Sequence, residues 1–400
     1  MEGSATVNGA DRPSVEEETA NEPAAVPSLL YSDVEDDLRA SLRALLEDRC
    51  DWPVVLERIE SGEPYDTGLW HSIAAELGCA GLLVPEDHGG AGASYREAAV
   101  AAEELGKSAA PVPYLGSAVV ATAALLAASD DALLPKIASG AATAALLVPF
   151  GAWPDAPAPR TVRLSVPQPG DQAAGVARLA GTAAGLADAL PADVLIVPAD
   201  GVPYGLYAVD AAAAGVTRTP VVSLDMTRQL CDIALRDAPA RLIVSGDAAE
   251  RALSVALTAG AAMLAAEQLG LAERCLELTV AYVKQRYQFA RPVGSFQGLK
   301  HRLADLWVAV TQARAAARYA AACMATDHPD TPVAVALAKS CCCEVAVKAA
   351  EECVQMHGGI GFTWEHPAHL YLKRAKSASI AFGTPDRYRA SLAVLADLPA

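Results

Sequence analysis

Arg286, Gln288, Phe289 and Gln297 fall within the single segment RYQFARPVGSFQ, between two stretches of helical periodicity. An arginine at a helix end offers a planar fork of donors that suits two phosphate oxygens at once. Phe289 and Phe296 can pack on a flat ring, while Gln288 and Gln297 each donate and accept hydrogen bonds. Such a group could cradle a phosphorylated aromatic cofactor, and it equally suits a solvated loop lying over core phenylalanines. A second segment bears on that choice. Gln355 opens QMHGGIGFTWE, in which Gly358 and Gly359 end an alanine-rich helical pattern. Paired glycines permit positive φ and close approach of backbone to a ligand, or simply cap the helix.

The elements that must position these residues read as helices, then strands, then helices. Residues 1–28 are rich in Glu, Ala and Pro with almost nothing to bury, and are expected to be a disordered tail. Over 29–141, Val34, Leu38, Leu42 and Leu45 recur at helical spacing, which predicts an all-α domain. In 142–240, short runs such as VLIV at 194–197 and LYAV at 206–209 lie between Gly, Pro and Asp clusters, as in a compact β-domain. Residues 241–400 return to helical patterns and predict a four-helix bundle. The fold class expected is therefore mainly α with a central β-domain.

The 400 residues are 52% hydrophobic and carry a formal charge of −17, which excludes a nucleic-acid surface built on clustered Lys and Arg. Nine cysteines without a framework spacing fit a reducing compartment. Cys341, Cys342 and Cys343 point about 100° apart on a helix and cannot all face one metal ion, so they are read as packing residues and no metal site is expected. No secretory signal and no uninterrupted apolar run of membrane-spanning length appears, so a cytoplasmic protein without membrane attachment is expected. Neither a G-x-G-x-x-G nor a P-loop follows a strand.

The strings R-x-x-F-x-x-P-x-x-x-F-Q from Arg286, L-A-D at 303–305 and Q-x-H-G-G-x-G-F-T-x-E from Gln355 resemble, in order and spacing, the C-terminal half of the acyl-CoA dehydrogenase family. The loop P-E-x-x-G-G-x-G at 85–92, followed by E-E-L-G, is similar to a part of the family's N-terminal domain. The resemblance implies an N-terminal helical domain, a middle β-barrel and a C-terminal four-helix bundle. It also implies FAD, an acyl-CoA substrate, and electron-transfer flavoprotein as the acceptor. The family's reaction takes an α-proton onto a carboxylate base and passes a β-hydride to the flavin. By the resemblance, Arg286, Gln288, Phe289, Gln297, Gln355, Gly358, Gly359 and Thr384 are the cofactor-binding candidates, most of them of the kind that reaches a neighbouring subunit's FAD across an interface.

Two departures stand against an active chain. Where the family usually carries a T-E-x-x-x-G-S-D-type loop beside the flavin, this sequence has VPFGAWPDAPAPR, rich in prolines that lack a backbone donor. The slot of the usual catalytic glutamate, before G-T, holds Phe382, and the alternative slot on the first long helix falls at Gly260; neither can accept a proton. Glu267, two turns from Gly260, is a weak candidate for a relocated base, and a structural carboxylate is the plainer reading. Glu103 and Glu104 read as salt-bridge residues, and Glu365 is assigned no proton transfer. The sequence thus favours the base-less partner in a heteromer with another acyl-CoA dehydrogenase subunit. The alternatives are a self-sufficient homo-oligomer with a relocated base and a structural paralogue without flavin.

Overall fold

The computed structural model describes residue 1 and residues 27–63, 65–165 and 176–397. Most of the expected N-terminal tail lies outside them. From Ser32 the chain is helical for about a hundred residues, beginning with α1 (Asp33–Arg49), α2 (Trp52–Glu60) and α3 (Thr67–His71). Ser32 starts α1 with a reciprocal cap: its hydroxyl accepts from the Glu35 N–H while the Glu35 carboxylate accepts from the Ser32 N–H. Then come α4 (Tyr95–Ser108), a π-helical stretch Tyr114–Ala121 running into α5 (Thr122–Ala127), and α6 (Leu134–Ala138).

Seven strands follow: β1 (Ala144–Leu146), β2 (Val162–Leu164), β3 (Ala177–Ala187), β4 (Val194–Ala199), β5 (Gly205–Asp210), β6 (Val216–Val221) and β7 (Leu230–Ser245). They pair in the order β1-β4-β5-β7-β3-β2, with β6 on β7. The Asp200 N–H donates to the Val162 carbonyl (2.8 Å) and the Leu164 N–H donates to the Asp200 carbonyl (3.3 Å), which ties β2 to the end of β4. The hydrogen-bonded path therefore returns on itself, β4-β5-β7-β3-β2-β4, around a core containing Leu179, Leu186, Val197, Ile233 and Leu235. The long strand β7 makes this closure feasible, because β3 and β6 flank its first half and β5 takes up its second. It runs past residue 240, where the sequence pattern placed the end of the β region.

The last part comprises α7 (Asp247–Gln285), a two-stranded hairpin β8 (Tyr287–Gln288) and β9 (Arg291–Pro292), α8 (Gln297–Ala325), α9 (Thr331–His357), α10 (Ala368–Ile380) and α11 (Pro385–Leu395). The four longer helices answer to the expected bundle; α11, too short to register as periodicity, packs against α9 as a fifth. One helix, α7, is long and apolar enough to cross a membrane, yet 89% of its apolar window is buried inside this chain, as befits the axis of a core.

Alanine-rich helices pack closely because little side-chain bulk separates their backbones. At the α4–α7 crossing the approach is backbone to backbone: a Cβ on Gly106 would strike the Glu267 carbonyl, and one on Gly270 would strike the Glu103 carbonyl. Glu103 and Glu104 hang from this crossing and are buried. Arg39 donates to both, at 2.6 and 2.7 Å, and Arg43 donates to Glu104 at 2.9 Å.

Candidate functional site

Two regions hold the residues singled out by sequence, and they differ in character. The first is one end of the bundle. Helices α7 and α9 pack directly on each other with α8 against both, and the end of α7, the start of α8 and the end of α9 come together there. Tyr282 near the end of α7 stacks on His357 at the end of α9 (ring centroids 4.3 Å apart), and His357 stacks in turn on His366 (4.1 Å). This stack joins the Arg286 segment to the Gly358 segment across 75 residues of sequence.

Arg286, Gln288, Phe289, Gln297, Gln355, Gly358 and Gly359 are all exposed at this end. Among the described residues, the side chains of Arg286, Gln288, Gln297 and Gln355 make no hydrogen bond or ion pair within the chain. The hairpin turns through Phe289 and Ala290, both with positive φ (52° and 60°), which places the Phe289 ring at its tip, 86% exposed. Gly358 has φ 64°, and a Cβ built on it or on Gly359 would meet nothing within 4 Å. The surface thus offers a guanidinium, three amides, an aromatic ring and bare backbone, with Ile360, Phe362 and Trp364 exposed alongside.

Thr384 does not belong to this group. It is the residue before α11, beyond the far end of α10, a helix of 13 residues and so about 20 Å long.

The second region is the interior around Phe382. A Cβ on Gly260 would lie 2.8 Å from Phe382 Cζ and 3.0 Å from Val120 Cγ2, so the phenyl ring fills the space a side chain at 260 would need. The two expected base positions face each other, and both are hydrocarbon. Phe150, from the proline-rich loop, meets the Phe382 ring edge to face at 5.5 Å. The loop is fastened there through its backbone: the Phe150 N–H donates to the Gly185 carbonyl at 2.9 Å, and the Phe382 N–H donates to the Phe150 carbonyl at 2.8 Å. Farther along, the Arg387 guanidinium stacks over Trp153 at 3.5 Å. What remains beside Phe150 and Phe382 is a cavity of about 20 Å³, room for roughly one water molecule.

Two carboxylates lie nearby. Glu267 is 4% exposed and receives Arg228 Nη2 at 2.6 Å and Arg374 Nε at 2.9 Å. Burial alone would raise its pKa, but the two guanidinium groups overcome that and hold it down at about 2. This is the opposite of what a general base near neutrality needs, and the two ion pairs give Glu267 the geometry of a structural anion. The second carboxylate, Asp188, was not singled out from the sequence. It lines the small cavity, accepts from the Gly116 N–H (2.9 Å) and the Tyr65 hydroxyl (3.3 Å), and has its pKa raised by burial against the opposing pull of Arg228. Its only sequence signal was an aspartate closing a strand pattern, which occurs at most turns.

Replacing Gly260 by Ala tests this packing. Overpacking costs about 1–3 kcal/mol, partly offset by about 1 kcal/mol of helix propensity. The thermal midpoint is expected to fall in Gly260→Ala and to recover when Phe382→Leu is added; additive losses would show that the two sites do not touch.

The architecture and both regions have counterparts among known proteins. A family model described as the acyl-CoA dehydrogenase N-terminal domain matches residues 32–141, and one described as the C-terminal domain matches residues 250–394. Acyl-CoA dehydrogenase IpdE2 of Mycobacterium tuberculosis is 34% identical over 349 residues, covering 87% of this chain and 92% of the relative. The chain belongs to the acyl-CoA dehydrogenase family. Its members are oxidoreductases acting on CH–CH bonds, and FAD is their general cofactor. Among solved structures, the Tcur3481-Tcur3483 steroid ACAD aligns with a TM-score of 0.78 at 30% identity, over 91% of this chain and 98% of that one. The ChsE4-ChsE5 complex from Mycobacterium tuberculosis aligns at 0.80 and 26%, over 93% and 100%.

As a test of fit to FAD, the two regions give opposite answers. The bundle end has unpaired donors and open glycines suited to the phosphate and adenosine portions. The Phe382 interior has no room for a flavin ring or a thioester.

Proposed function

We propose that this chain is the non-catalytic half of a heteromeric acyl-CoA dehydrogenase, lending its bundle end to FAD held chiefly by a catalytic partner of the same family. The observation that carries the reading is the contact of Gly260 with Phe382: neither position that could bear the base has a carboxylate, and the Phe382 ring fills the space a side chain at 260 would need. The similarity to a steroid ACAD named for two components, and to a complex of two named subunits, supports a heteromeric assembly. When bound, FAD would supply the hydride acceptor. This chain's own residues would do something simpler. Arg286 pairs with phosphate oxygens, Gln288, Gln297 and Gln355 fix polar groups by hydrogen bonds, Phe289 covers a ring, and Gly358-Gly359 admit the nucleotide to the backbone. The substrate class is an acyl-CoA thioester, with electron-transfer flavoprotein taking the electrons from the assembly. Thr384, set apart from the others, would meet a cofactor at the far end of α10.

The test is purification of the chain alone and together with a co-expressed catalytic partner. The isolated chain is expected to be colourless and inactive, and the co-purified complex yellow, with dehydrogenase turnover. Stoichiometric FAD and turnover by the chain alone would refute the proposal. A second reading, a self-sufficient enzyme, is favoured by one observation: Asp188 is a buried carboxylate beside Phe382 with its pKa raised. It requires the Phe150 loop to open and predicts activity in the isolated chain that Asp188→Asn abolishes.

A further inference from the structure

The run Cys341-Cys342-Cys343 packs as small side chains should, with Cys342 and Cys343 buried and Cys341 half-buried, all three as free thiols. Cys343 nevertheless has an uncommon neighbour. Lys339, one turn earlier on α9, is fully buried, and its Nζ lies 2.8 Å from Cys343 Sγ and 3.0 Å from the Ala378 carbonyl near the end of α10. Among the described residues no carboxylate is a hydrogen-bond or ion-pair partner of Lys339. The sulfur also lies 3.1 Å from Gln268 Oε1 on α7, while Gln268 Nε2, wholly buried, has no partner. Turning that amide over, a change that heavy-atom positions alone do not distinguish, would aim the orphaned N–H at the sulfur. Amine and thiol, or ammonium and thiolate, are the two neutral-sum states of this pair, and they differ by one proton passed along the contact.

We propose that Lys339 and Cys343 form an oxidation site, at which hydrogen peroxide joins Nζ to Sγ in a reversible sulfenamide crosslink. In the first step Cys343 sulfur attacks one peroxide oxygen, the O–O bond breaks, and sulfenic acid and water result. In the second, Lys339 Nζ attacks the oxidised sulfur, the S–O bond breaks, and a second water leaves with the proton from nitrogen. The sum is thiol plus amine plus one peroxide giving an S–N bond and two waters. Condensation of sulfenic acid with nitrogen is an established rung of cysteine oxidation. Here the nitrogen is already in place. The oxidant reaches the pair through local opening of the bundle. A link between residues four apart on one helix constrains little by itself; its consequence is to reorient Lys339 relative to the Ala378 carbonyl, four residues before Phe382.

The experiment treats the full-length chain with graded hydrogen peroxide, alkylates free thiols, digests with trypsin without reductant, and sequences the peptides by mass spectrometry. The expected product is a peptide uncut at Lys339, two hydrogens lighter, alkylated at Cys341 and Cys342 but not at Cys343, and restored by dithiothreitol. In Lys339→Gln the same treatment should leave Cys343 as a sulfenic acid captured by dimedone. Normal cleavage at Lys339 with Cys343 free, oxygenated without the crosslink, or disulfide-bonded to a neighbouring cysteine would overturn the proposal. The wild-type measurement decides the matter by itself if the variant fails to fold.

Discussion

Arg286→Ala is expected to strip FAD from the assembled complex while leaving this chain's own stability unchanged. The Arg286 side chain makes no hydrogen bond or ion pair within the chain among the described residues, so truncating it removes nothing that holds the fold. In the proposed assembly it supplies charge-assisted hydrogen bonds to a phosphate, each worth about 1.5–3 kcal/mol net. That corresponds to roughly a 10- to 100-fold loss of affinity. Flavin absorbance per complex after gel filtration reads the loss directly, and dehydrogenase turnover should fall in proportion and recover with added FAD. Arg286→Lys should fall between the two, because an ammonium keeps the charge but not the planar fork. Unchanged flavin content in Arg286→Ala complexes would instead favour a structural paralogue. A fall in the thermal midpoint of the isolated chain would show that the side chain serves the fold.

The succession of helices, strands and helices was legible because each class leaves its own periodicity. The bundle-end motif was legible because its residues are contiguous in two short strings. What escaped the sequence is tertiary. Nothing in the sequence says that Phe382 and Gly260, more than a hundred residues apart, occupy one volume; the sequence shows two blanks, and only their contact makes them a plug. Phe150 was visible merely as part of a prolyl loop, yet its backbone fastens that loop to Phe382. Asp188 was missed for the same reason: its surroundings come from Tyr65, Gly116 and Arg228, none of them near in sequence. The closure of the strands into a ring rests on two hydrogen bonds at Asp200, which no pattern of side chains reports. Thr384 resembles its neighbours in motif alone, and helix α10 carries it away from them.

Glu267→Gln is expected to be among the most destabilising single changes in this chain, and its pH dependence separates a structural carboxylate from a catalytic one. Glu267 on α7 holds Arg228, at the edge of the β region, and Arg374 on α10, so one side chain ties three parts of the chain together. Both arginines are at most 3% exposed. Removing the carboxylate charge leaves two guanidinium groups in a water-poor interior, with Asp188 acting on Arg228 and Asp225, its oxygen 3.9 Å from Arg374 Nε, as the remaining anions. Breaking a buried pair from one side costs about 3–5 kcal/mol, which should lower the melting temperature by several degrees or more. The sign with pH follows from the direction of the shift. The pKa of Glu267 in the folded chain is about 2, against an ordinary 4.5, so its stabilisation is complete above 4.5 and is lost as pH falls from there toward 2. The gap between wild type and Glu267→Gln should therefore be widest near neutrality and close across that acidic window. Glu35, also held at about 2, there by Arg96 and Arg318 against the effect of burial, titrates alike in both proteins and cancels from the difference. A variant that melts like wild type at neutral pH would remove Glu267 from the framework. A catalytic carboxylate would behave in another way: its loss would alter a pH–rate profile near neutrality and leave the unfolding curve in place. Glu267 is buried, doubly paired and held far below neutrality, so its conversion to glutamine should act on folding first.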